Sequence, residues 1–531
     1  MKKFINTVIS TLFHKDLPTR ANAFDIQKKL FQTLLLSYKD SPLYKNIWLK
    51  QDETFDVLLW NETRLKEYIS QFPLIEYTDH ILPLYQAQSG IVSDHYDLLI
   101  RTSGTSDANQ WGKLIPANWS SFHNENIGIK RTLSYYLKKN PVSSLFFTSS
   151  FSLTAPFNKL SKIGYVSGAI RSINNLYKYM IFPSDDILDI NHWDQKKNMI
   201  VNQLLEKNIH LWSFHGVPTR WLDIINELID KDIEKAREIL KKCEYISIGG
   251  WPALDYKQQF QDKLKSLWWH QKLYASNNHN ASEWFLASQI QNFDDLDYHW
   301  MSPLMQTNFF LFVSVEDFDR HKKWEISYHD MIIESHLLHE VTPDTEYVIL
   351  FSNHRIPWLY NIKDKVIFKK NSDSIEKNAV LEYDVTGRYG MASNIFNEHI
   401  ELPHILSAFD RLHTNHWYSF DKHNFVAGME LLPDNQWVFH IIVESDTLPD
   451  EINNKTIENI FDASLWESND QWKSFRERKK IKEIKLIVVL SSFLRKNLIS
   501  LWKMHEQSKI PHLSDSNFNN IIQPLLTLIK K

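Results

Sequence analysis

The sequence predicts an α/β fold, because short apolar runs alternate along the chain with longer segments whose apolar residues recur at helical spacing. The runs "YISIGG" (245–250), "EYVILFS" (346–352) and "KVIF" (365–368) have the length and composition of strands. The segments "WDQKKNMIVNQLLEKN" (193–208) and "PTRWLDIINELIDKDIEKAREILKK" (218–242) have the periodicity of amphipathic helices. This mixture indicates an α/β domain.

The two ends of the chain differ from this middle part. Segments 24–38, "FDIQKKLFQTLLLSY", and 63–72, "TRLKEYISQF", predict that the first hundred residues are mostly helical. After about residue 395, the pattern predicts a helix, the strand "WVFHIIVES", more helix, the strand "IKLIVVLSS" and a helical tail. We therefore expect a smaller α+β unit at the C-terminal end.

The composition excludes several classes of protein. The chain has 531 residues, a net charge of −4 and 43% hydrophobic residues, which is typical of a soluble globular protein and gives no basic excess for binding nucleic acid. Its one cysteine, Cys243, excludes an internal disulfide framework and favours a reducing compartment. The start, "MKKFINTVISTLF", predicts an amphipathic helix packed on the protein rather than a signal peptide. We expect a cytoplasmic monomer without membrane insertion.

A loop of small hydroxylated residues follows the apolar "DLLI" in "RTSGTSDANQWGKLIP" (101–116). Backbone amides and hydroxyls in such a loop can surround phosphate, and Lys113 can approach the same anion as a point charge. The commoner interpretation of this segment alone is a serine-rich surface turn. The candidate phosphate-binding residues are Thr102, Ser103, Gly104, Thr105, Ser106 and Lys113.

Polar residues also crowd around His279 and Glu283 in "YASNNHNASEWFLASQ" (274–289). A purine base would satisfy such amides and carboxylates. From this segment alone we favour a helix start, with Asn280 or Ser282 as the cap and Glu283 in the first turn.

A single acid, Asp364, lies in "EYVILFSNHRIPWLYNIKDKVIF" (346–368), which predicts two strands around a turn. A carboxylate is suited to accept hydrogen bonds from the two vicinal hydroxyls of a ribose. A turn aspartate paired with Lys363 or Lys365 explains the same residue equally well. Neither the "HLLHE" segment nor any serine motif matches an established zinc or hydrolase signature.

Five segments in order resemble the signatures of the auxin-responsive Gretchen Hagen family of acyl-acid amido synthetases, especially its bacterial members. They are "TSGTSDANQWGKLIP", "NASEWFLASQ", "WLYNIKDKVIF", "VTGRYGMASNIFNEHIE" and "HEQSKIPHL". The resemblance implies an adenylate-forming fold, part barrel and part layered sheet, with an N-terminal domain over 1–398 and a mobile C-terminal domain over 399–531. It also implies that ATP and Mg²⁺ activate a carboxylic acid, and that an amine, usually of an amino acid, then receives the acyl group.

The same resemblance implies roles for individual residues. Residues 102–106 and Lys113 would hold the phosphates, and Asp364 would hold the ribose. The segment Asn280, Ala281, Ser282 and Glu283 matches the adenine-side motif, where Glu283 would also contact the metal and His279 would stack on adenine in place of the usual tyrosine. Arg388 matches the Gly-Arg before the hinge, and Lys509 matches the C-terminal catalytic lysine.

Several positions depart from the family pattern. Trp284 and Lys363 stand where glycine is usual, and Leu359 stands where the family has arginine. With 12 glycines and 19 tryptophans, the composition is also consistent with a source that reads UGA as glycine, and the codons for Trp251 and Trp284 decide this. Two other functions are compatible with the departures. One is a degenerate member that binds nucleotide or acid without turnover, and the other is an adenylating enzyme that forms a thioester.

Overall fold

The computed structural model describes the following residues of the chain: 19–38, 40–43, 57–93, 95–101, 114–120, 150–152, 163–164, 168, 181–190, 193–207, 209–211, 213–216, 218–243, 245–249, 257–267, 273–280, 285–292, 300–356, 358–369, 381–389, 392–395, 398–416, 418, 420–432, 436–446, 451–468, 470–477, 481–501, 513 and 518–529.

These residues form helices and strands in alternation, numbered here in chain order. The helices are α1 (Arg20–Tyr38), α2 (Glu62–Ile69), α3 (Leu82–Gln86), α4 (Asp185–Leu188), α5 (Trp193–Lys207), α6 (Pro218–Lys231), α7 (Ile233–Leu240), α8 (Lys257–Ser266), α9 (Val315–Lys322), α10 (Tyr328–Glu334), α11 (Leu402–His416), α12 (Glu451–Ser468), α13 (Asp470–Glu477), α14 (Phe493–Ser500) and α15 (Gln523–Ile529). The strands are β1 (Leu98–Arg101), β2 (Leu114–Ala117), β3 (Ser150–Ser152), β4 (Ile163–Gly164), β5 (Ile181–Phe182), β6 (Ser213–Gly216), β7 (Tyr245–Gly249), β8 (Tyr274–Asn280), β9 (Phe285–Asn292), β10 (Ser302–Pro303), β11 (Asn308–Ser314), β12 (His336–Leu337), β13 (Glu346–Asn353), β14 (Tyr360–Phe368), β15 (Tyr383–Arg388), β16 (Ala392–Ile395), β17 (Glu398–Glu401), β18 (Phe420–Leu431), β19 (Trp437–Ser445) and β20 (Ile481–Leu490).

The described residues divide into two compact units between Thr386 and Gly387. Gly387 has a φ of 155°, a value that residues with a Cβ rarely adopt. The domain boundary at 398 stays a prediction. Within the described part of the chain, no helix combines the length and apolar composition needed to cross a membrane.

A seven-stranded sheet in the larger unit has the order β10-β9-β8-β7-β6-β3-β5. Five neighbouring strands of this sheet run parallel, namely β8, β7, β6, β3 and β5, so their carboxyl ends lie along one edge. Strand β9 pairs antiparallel with β8. Helices α5 to α8 cover one face and form a core with the strands, in which Trp221 is fully buried and stacks on Phe214 with ring centroids 5.4 Å apart. Burying one such side chain stabilises the fold by about 3 kcal/mol.

A second sheet in this unit has the order β12-β11-β13-β14-β15, and β11, β13 and β14 pair antiparallel. The strand β11 is buried along almost its whole length. Helix α1 lies against it, and Gln27 accepts a hydrogen bond from the Phe310 amide at 2.7 Å and donates to the Met305 carbonyl at 2.7 Å. Polar Gln27 is therefore buried with its hydrogen-bonding groups satisfied.

Hydrogen bonds join the seven-stranded and five-stranded sheets, and we call these contacts the seam. The backbones of Met301 and Tyr383 exchange hydrogen bonds of 2.7 and 2.9 Å. The Asn308 side chain donates to the Phe285 carbonyl at 2.9 Å. The start of β15 is thereby held next to the start of β10, and the start of β11 next to the start of β9.

The smaller unit contains the sheet β18-β19-β20, in which β19 and β20 run parallel. Alternate residues of β19 face two different cores: Ile441 packs with α11 and α12, and Ile442 packs with α14 and α15. Because both faces are covered, successive residues of β19 are buried along almost its whole length rather than alternating between buried and exposed.

The expected α/β fold is confirmed, and so are the helices expected near residues 24–38 and 63–72. Segment 218–242 forms two helices, because the Asp232 side chain accepts a hydrogen bond from the Lys235 amide and starts α7. Among the described strands, each sheet is open, so the barrel part of the expectation is not seen as a closed sheet.

Trp324 ends helix α9 in a conformation that favours glycine. Its φ is 63°, its side chain is 91% exposed, and its amide donates to the His321 carbonyl while the Glu325 amide donates to the Arg320 carbonyl. This pair of hydrogen bonds defines a Schellman motif, in which the residue at the position of Trp324 is usually glycine. The observation agrees with the hypothesis of glycine codons translated as tryptophan, whereas Trp251 and Trp284 lie outside the described residues.

We expect Trp324→Gly to raise the free energy of unfolding by about 1 kcal/mol, because it removes the cost of a left-handed conformation without removing buried contacts. Urea unfolding monitored by circular dichroism measures this change. The neighbouring Lys323, with a φ of −85°, provides the control, since Lys323→Gly should lower the stability by about 0.5 kcal/mol. Equal destabilisation by both changes would contradict the prediction.

Candidate functional site

Many of the predicted site residues lie outside the described residues: Thr102, Ser103, Gly104, Thr105, Ser106, Lys113, Ala281, Ser282, Glu283 and Lys509. Their roles stay predictions. Asn280 and Arg388 are described as backbone positions at the ends of β8 and β15. His279 and Asp364 are described with their side chains.

The predicted phosphate loop is bounded by two paired strands. The chain leaves β1 at Arg101 and enters β2 at Leu114, and these two residues lie opposite each other in the antiparallel pair. The Tyr77 hydroxyl accepts a hydrogen bond from the Leu114 amide at 2.9 Å, which fixes the second end. The expected strand before the loop is therefore present.

Residues 274–280 and 285–292 form two paired strands, so the favoured interpretation of a capped helix start is wrong. Strand β8 continues to Asn280, and the chain is again a strand from Phe285. The buried Ser288 hydroxyl donates to Asn278 Oδ1 across the pair at 2.6 Å. Strand β8 forms hydrogen bonds with β7 and β9, and these stabilise the extended conformation more than side-chain capping would stabilise a helix. A local sequence pattern does not show which strands will pair with the segment.

Asp364 lies within strand β14 and not in a turn between strands. A register shift opposite this part of β14 marks an irregularity in its pairing with β13. The preceding Lys363 has a φ of 66°, and its amide donates to Asn361 Oδ1 at 2.8 Å. The backbone of Lys363 thus has a conformation suited to glycine, at a position where the family that the sequence resembles has glycine.

Asp364 pairs with His279, a residue on a different strand. His279 Nε2 lies 2.8 Å from Asp364 Oδ2, and the other ring nitrogen, Nδ1, lies 2.9 Å from the Tyr383 hydroxyl. Lys365 instead pairs with Glu346, with 3.1 Å between Nζ and Oε2. Asp364 thus makes a contact across the two sheets, which neither of the two interpretations of this segment included.

Burial makes these contacts stronger than they would be at the surface. Tyr383 is fully buried, His279 is 7% exposed, and the Asp364 side chain is 18% exposed. Burial, and in second place the charge of Asp364, raise the pKa of Tyr383 well above its usual value. The phenol therefore stays protonated and can donate a hydrogen bond.

Leu359 occupies a buried position, at which the family that the sequence resembles has arginine. It is 1% exposed, and its carbonyl accepts a hydrogen bond from the Ile75 amide at 2.9 Å. The adjacent Trp358 stacks on Phe72 with ring centroids 4.1 Å apart. The apolar side chain at 359 supplies packing and no positive charge.

The described residues contain no group of three or more histidine, cysteine, aspartate or glutamate side chains placed to hold a metal ion. In "HLLHE", Glu340 pairs with Lys66 Nζ at 2.7 Å, and His339 lies 3.4 Å from Glu62. These contacts account for His339 and Glu340 as structural residues rather than metal ligands. The predicted magnesium contact, Glu283, lies outside this part of the chain.

Sequence reasoning missed two polar residues of interest, Tyr383 and His215. Tyr383 carries no signal except its position four residues before Gly387. His215 lies at the carboxyl end of β6, with Nε2 3.1 Å from Ser213 Oγ and its ring 5.7 Å from that of Tyr245. Ligands of parallel α/β sheets bind outside this edge.

Comparison with known proteins gives a consistent result at the level of the fold. No protein-family model matches the chain, and no curated protein matches it by sequence. The solved structure of the GH3.15 acyl acid amido synthetase is 13% identical and superposes with a TM-score of 0.68 over 96% of this chain and 94% of that one. The chain has the fold of an acyl acid amido synthetase.

A second solved structure, the AtGH3.15 acyl acid amido synthetase in complex with 2,4-DB, gives the same result. It is 14% identical and superposes with a TM-score of 0.70 over 98% of this chain and 96% of that one. The amido synthetase fold is therefore matched over nearly the full length of both chains.

We expect His215 to make the protein less stable in acid. Burial lowers the pKa of His215 to about 4. Between an ordinary pKa of about 6.5 and this value, the unfolded state binds a proton that the folded state does not. Stability should therefore fall as the pH falls through this range, by about 3 kcal/mol at most.

Urea unfolding of the wild type and of His215→Gln at about pH 7.5 and about pH 4.5 measures this effect. The stability lost on acidification should be smaller in the variant, because glutamine does not titrate. Equal losses in the two proteins would contradict the assigned pKa.

Proposed function

We propose that the protein is an ATP-dependent acyl-acid amido synthetase, which adenylates a carboxylic acid and transfers the acyl group to the amine of an amino acid. The observation that carries the proposal is the carboxylate of Asp364. It is held by buried His279 in a strand of an amido synthetase fold, at the position where the sequence resemblance places a ribose-binding aspartate. The fold alone supports only the broader class of adenylate-forming ligases.

The geometry of Asp364 suits a ribose. A carboxylate accepts hydrogen bonds through both of its oxygens, and His279 contacts Oδ2 of Asp364. The side chain keeps partial access to solvent, so a ligand can reach it. Two vicinal hydroxyls can donate to a carboxylate, and each charge-assisted hydrogen bond is worth about 1.5 to 3 kcal/mol.

The other proposed roles follow the order of the motifs. Residues 102–106 and Lys113 would bind the phosphates, and the segment 279–283 would lie on the adenine side. A magnesium ion, when bound, would neutralise phosphate charge, and Glu283 is the proposed contact. Arg388 would lie at the hinge, and Lys509 would act over the phosphates.

The proposed reaction has two steps. A carboxylate oxygen of the acid attacks the α-phosphorus of ATP, and the bond to the departing pyrophosphate breaks. The amine then attacks the acyl carbon, AMP departs with the bonding electron pair, and the amine loses a proton. Binding the reactants in one site would accelerate both steps by orientation and by exclusion of water.

The deciding experiment is pyrophosphate exchange into ATP across a panel of carboxylic acids. Exchange that depends on an acid supports adenylation, and analysis of the product with amino acids or coenzyme A then distinguishes amide from thioester formation. Nucleotide binding without exchange for any acid would overturn the proposed turnover and favour a degenerate binding protein, the alternative motivated by buried Leu359.

We expect Asp364→Ala to weaken ATP binding by about tenfold or more, because it removes charge-assisted hydrogen bonds to the ribose. Isothermal titration with ATP measures the change. The exposed Asp189 of the same unit provides the control, and Asp189→Ala should leave the affinity unchanged. An unchanged affinity in Asp364→Ala would argue against the ribose role.

We expect Lys509→Ala to slow adenylation by about 100-fold while ATP binding changes by less than about threefold, because the lysine would stabilise charge that develops in the transition state. Exchange rates and titration provide the two measurements. The exposed Lys496 is the matched control, and Lys496→Ala should retain the wild-type exchange rate. A wild-type rate in Lys509→Ala would remove this lysine from the mechanism.

A further inference from the structure

His279 joins two side chains that are distant in the sequence and that belong to other strands. Its Nε2 atom lies 2.8 Å from Asp364 Oδ2 on β14, and its Nδ1 atom lies 2.9 Å from the Tyr383 hydroxyl on β15. The rings of His279 and Tyr383 are nearly perpendicular, at 89°, with centroids 5.8 Å apart. The contacts form a continuous chain of hydrogen bonds, which we call the Tyr383–His279–Asp364 chain.

The chemistry of the two partners assigns the hydrogens of the imidazole. A carboxylate accepts hydrogen bonds and does not donate, so Nε2 carries a hydrogen and donates to Asp364. The Tyr383 hydroxyl lies 2.9 Å from Nδ1 and can donate to this nitrogen in the tautomer that carries its hydrogen on Nε2. Both nitrogens of His279 are therefore engaged within the protein.

The Tyr383 end of the chain is held by the fold. The backbone of Tyr383 exchanges two hydrogen bonds with Met301 in the seam, and its ring packs against Phe368 with centroids 5.7 Å apart. A flip of the imidazole would bring ring carbons to both partners and break both hydrogen bonds. The orientation of the Nε2 hydrogen is therefore set by a rigid part of the structure.

We propose that His279 is a positioning residue, which holds the Asp364 carboxylate for the two ribose hydroxyls, and that Tyr383 fixes the tautomer in which it does so. This inference rests on the proposed function, since it assumes that Asp364 binds a ribose. It also assigns His279 an action through Asp364, in place of the expected stacking on adenine. A hydrogen bond that orients an acceptor before the ligand arrives reduces the cost of ordering it on binding.

The test compares ATP with the analogue that lacks both ribose hydroxyls, dideoxy-ATP. The ratio of their dissociation constants reports contact with the hydroxyls and is insensitive to phosphate or adenine binding. In the wild type, we expect a preference for ATP of about tenfold or more. The variants are His279→Ala, which removes the donor, His279→Gln, which keeps an amide donor, and Tyr383→Phe, which removes the phenolic hydroxyl.

We expect His279→Ala to lower the preference for ATP by about fivefold or more and His279→Gln to recover part of it, with Tyr383→Phe in between. In the background of Asp364→Ala, the further change His279→Ala should have no effect on the ratio, because the two residues act as a unit. His210→Ala, which removes a histidine bonded to the Glu238 carbonyl in the same unit, is the control and should keep the wild-type ratio.

Thermal unfolding of each variant accompanies the binding measurements, and His279→Gln and Tyr383→Phe serve where His279→Ala does not fold. A wild-type ratio in folded His279→Gln, Tyr383→Phe and His279→Ala would overturn this inference and leave the proposed nucleotide site intact. A wild type that binds ATP and dideoxy-ATP equally, or neither, would overturn the ribose role of Asp364 and this inference together.

Discussion

The larger unit depends on a seam of buried hydrogen bonds between its two main sheets. Each sheet has an apolar core, but apolar packing sets no direction between strands of different sheets. The backbone exchange between Met301 and Tyr383 and the Asn308 bond to the Phe285 carbonyl supply that direction. Because an unpaired polar group costs about 1 to 3 kcal/mol when buried, alternative arrangements of this seam are disfavoured.

The candidate site shares Tyr383 with this seam, and this position explains why the distances between its side chains are well defined. His279, Asp364 and Tyr383 come from three strands, so their separations are set by sheet geometry rather than by a loop. Groups held in this way need little reordering when a ligand binds. The site can therefore combine partial exposure of Asp364 with a fixed carboxylate orientation.

The departures from the amido synthetase pattern differ in their physical consequences. Lys363 adopts a left-handed backbone with a side chain present, at a cost of about 1 to 2 kcal/mol, and so the local geometry of a glycine is retained. Leu359 is different, because its buried apolar side chain cannot supply the charge of an arginine. The first departure affects stability, whereas the second affects the electrostatics available to an anionic ligand.

Sequence alone determined the class of fold and most of its elements, because hydrophobic periodicity follows from the backbone geometry of helices and strands. It also singled out Asp364 and His279, because the motifs beside them occur in the same order as in the family that the sequence resembles. It placed Asp364 in a turn and favoured a helix cap near Asn280, since local rules do not include the strands that pair with these segments. Only the tertiary structure decided that His279 meets Asp364 and Tyr383, because contacts 85 and 104 residues apart leave no periodic signal in the chain.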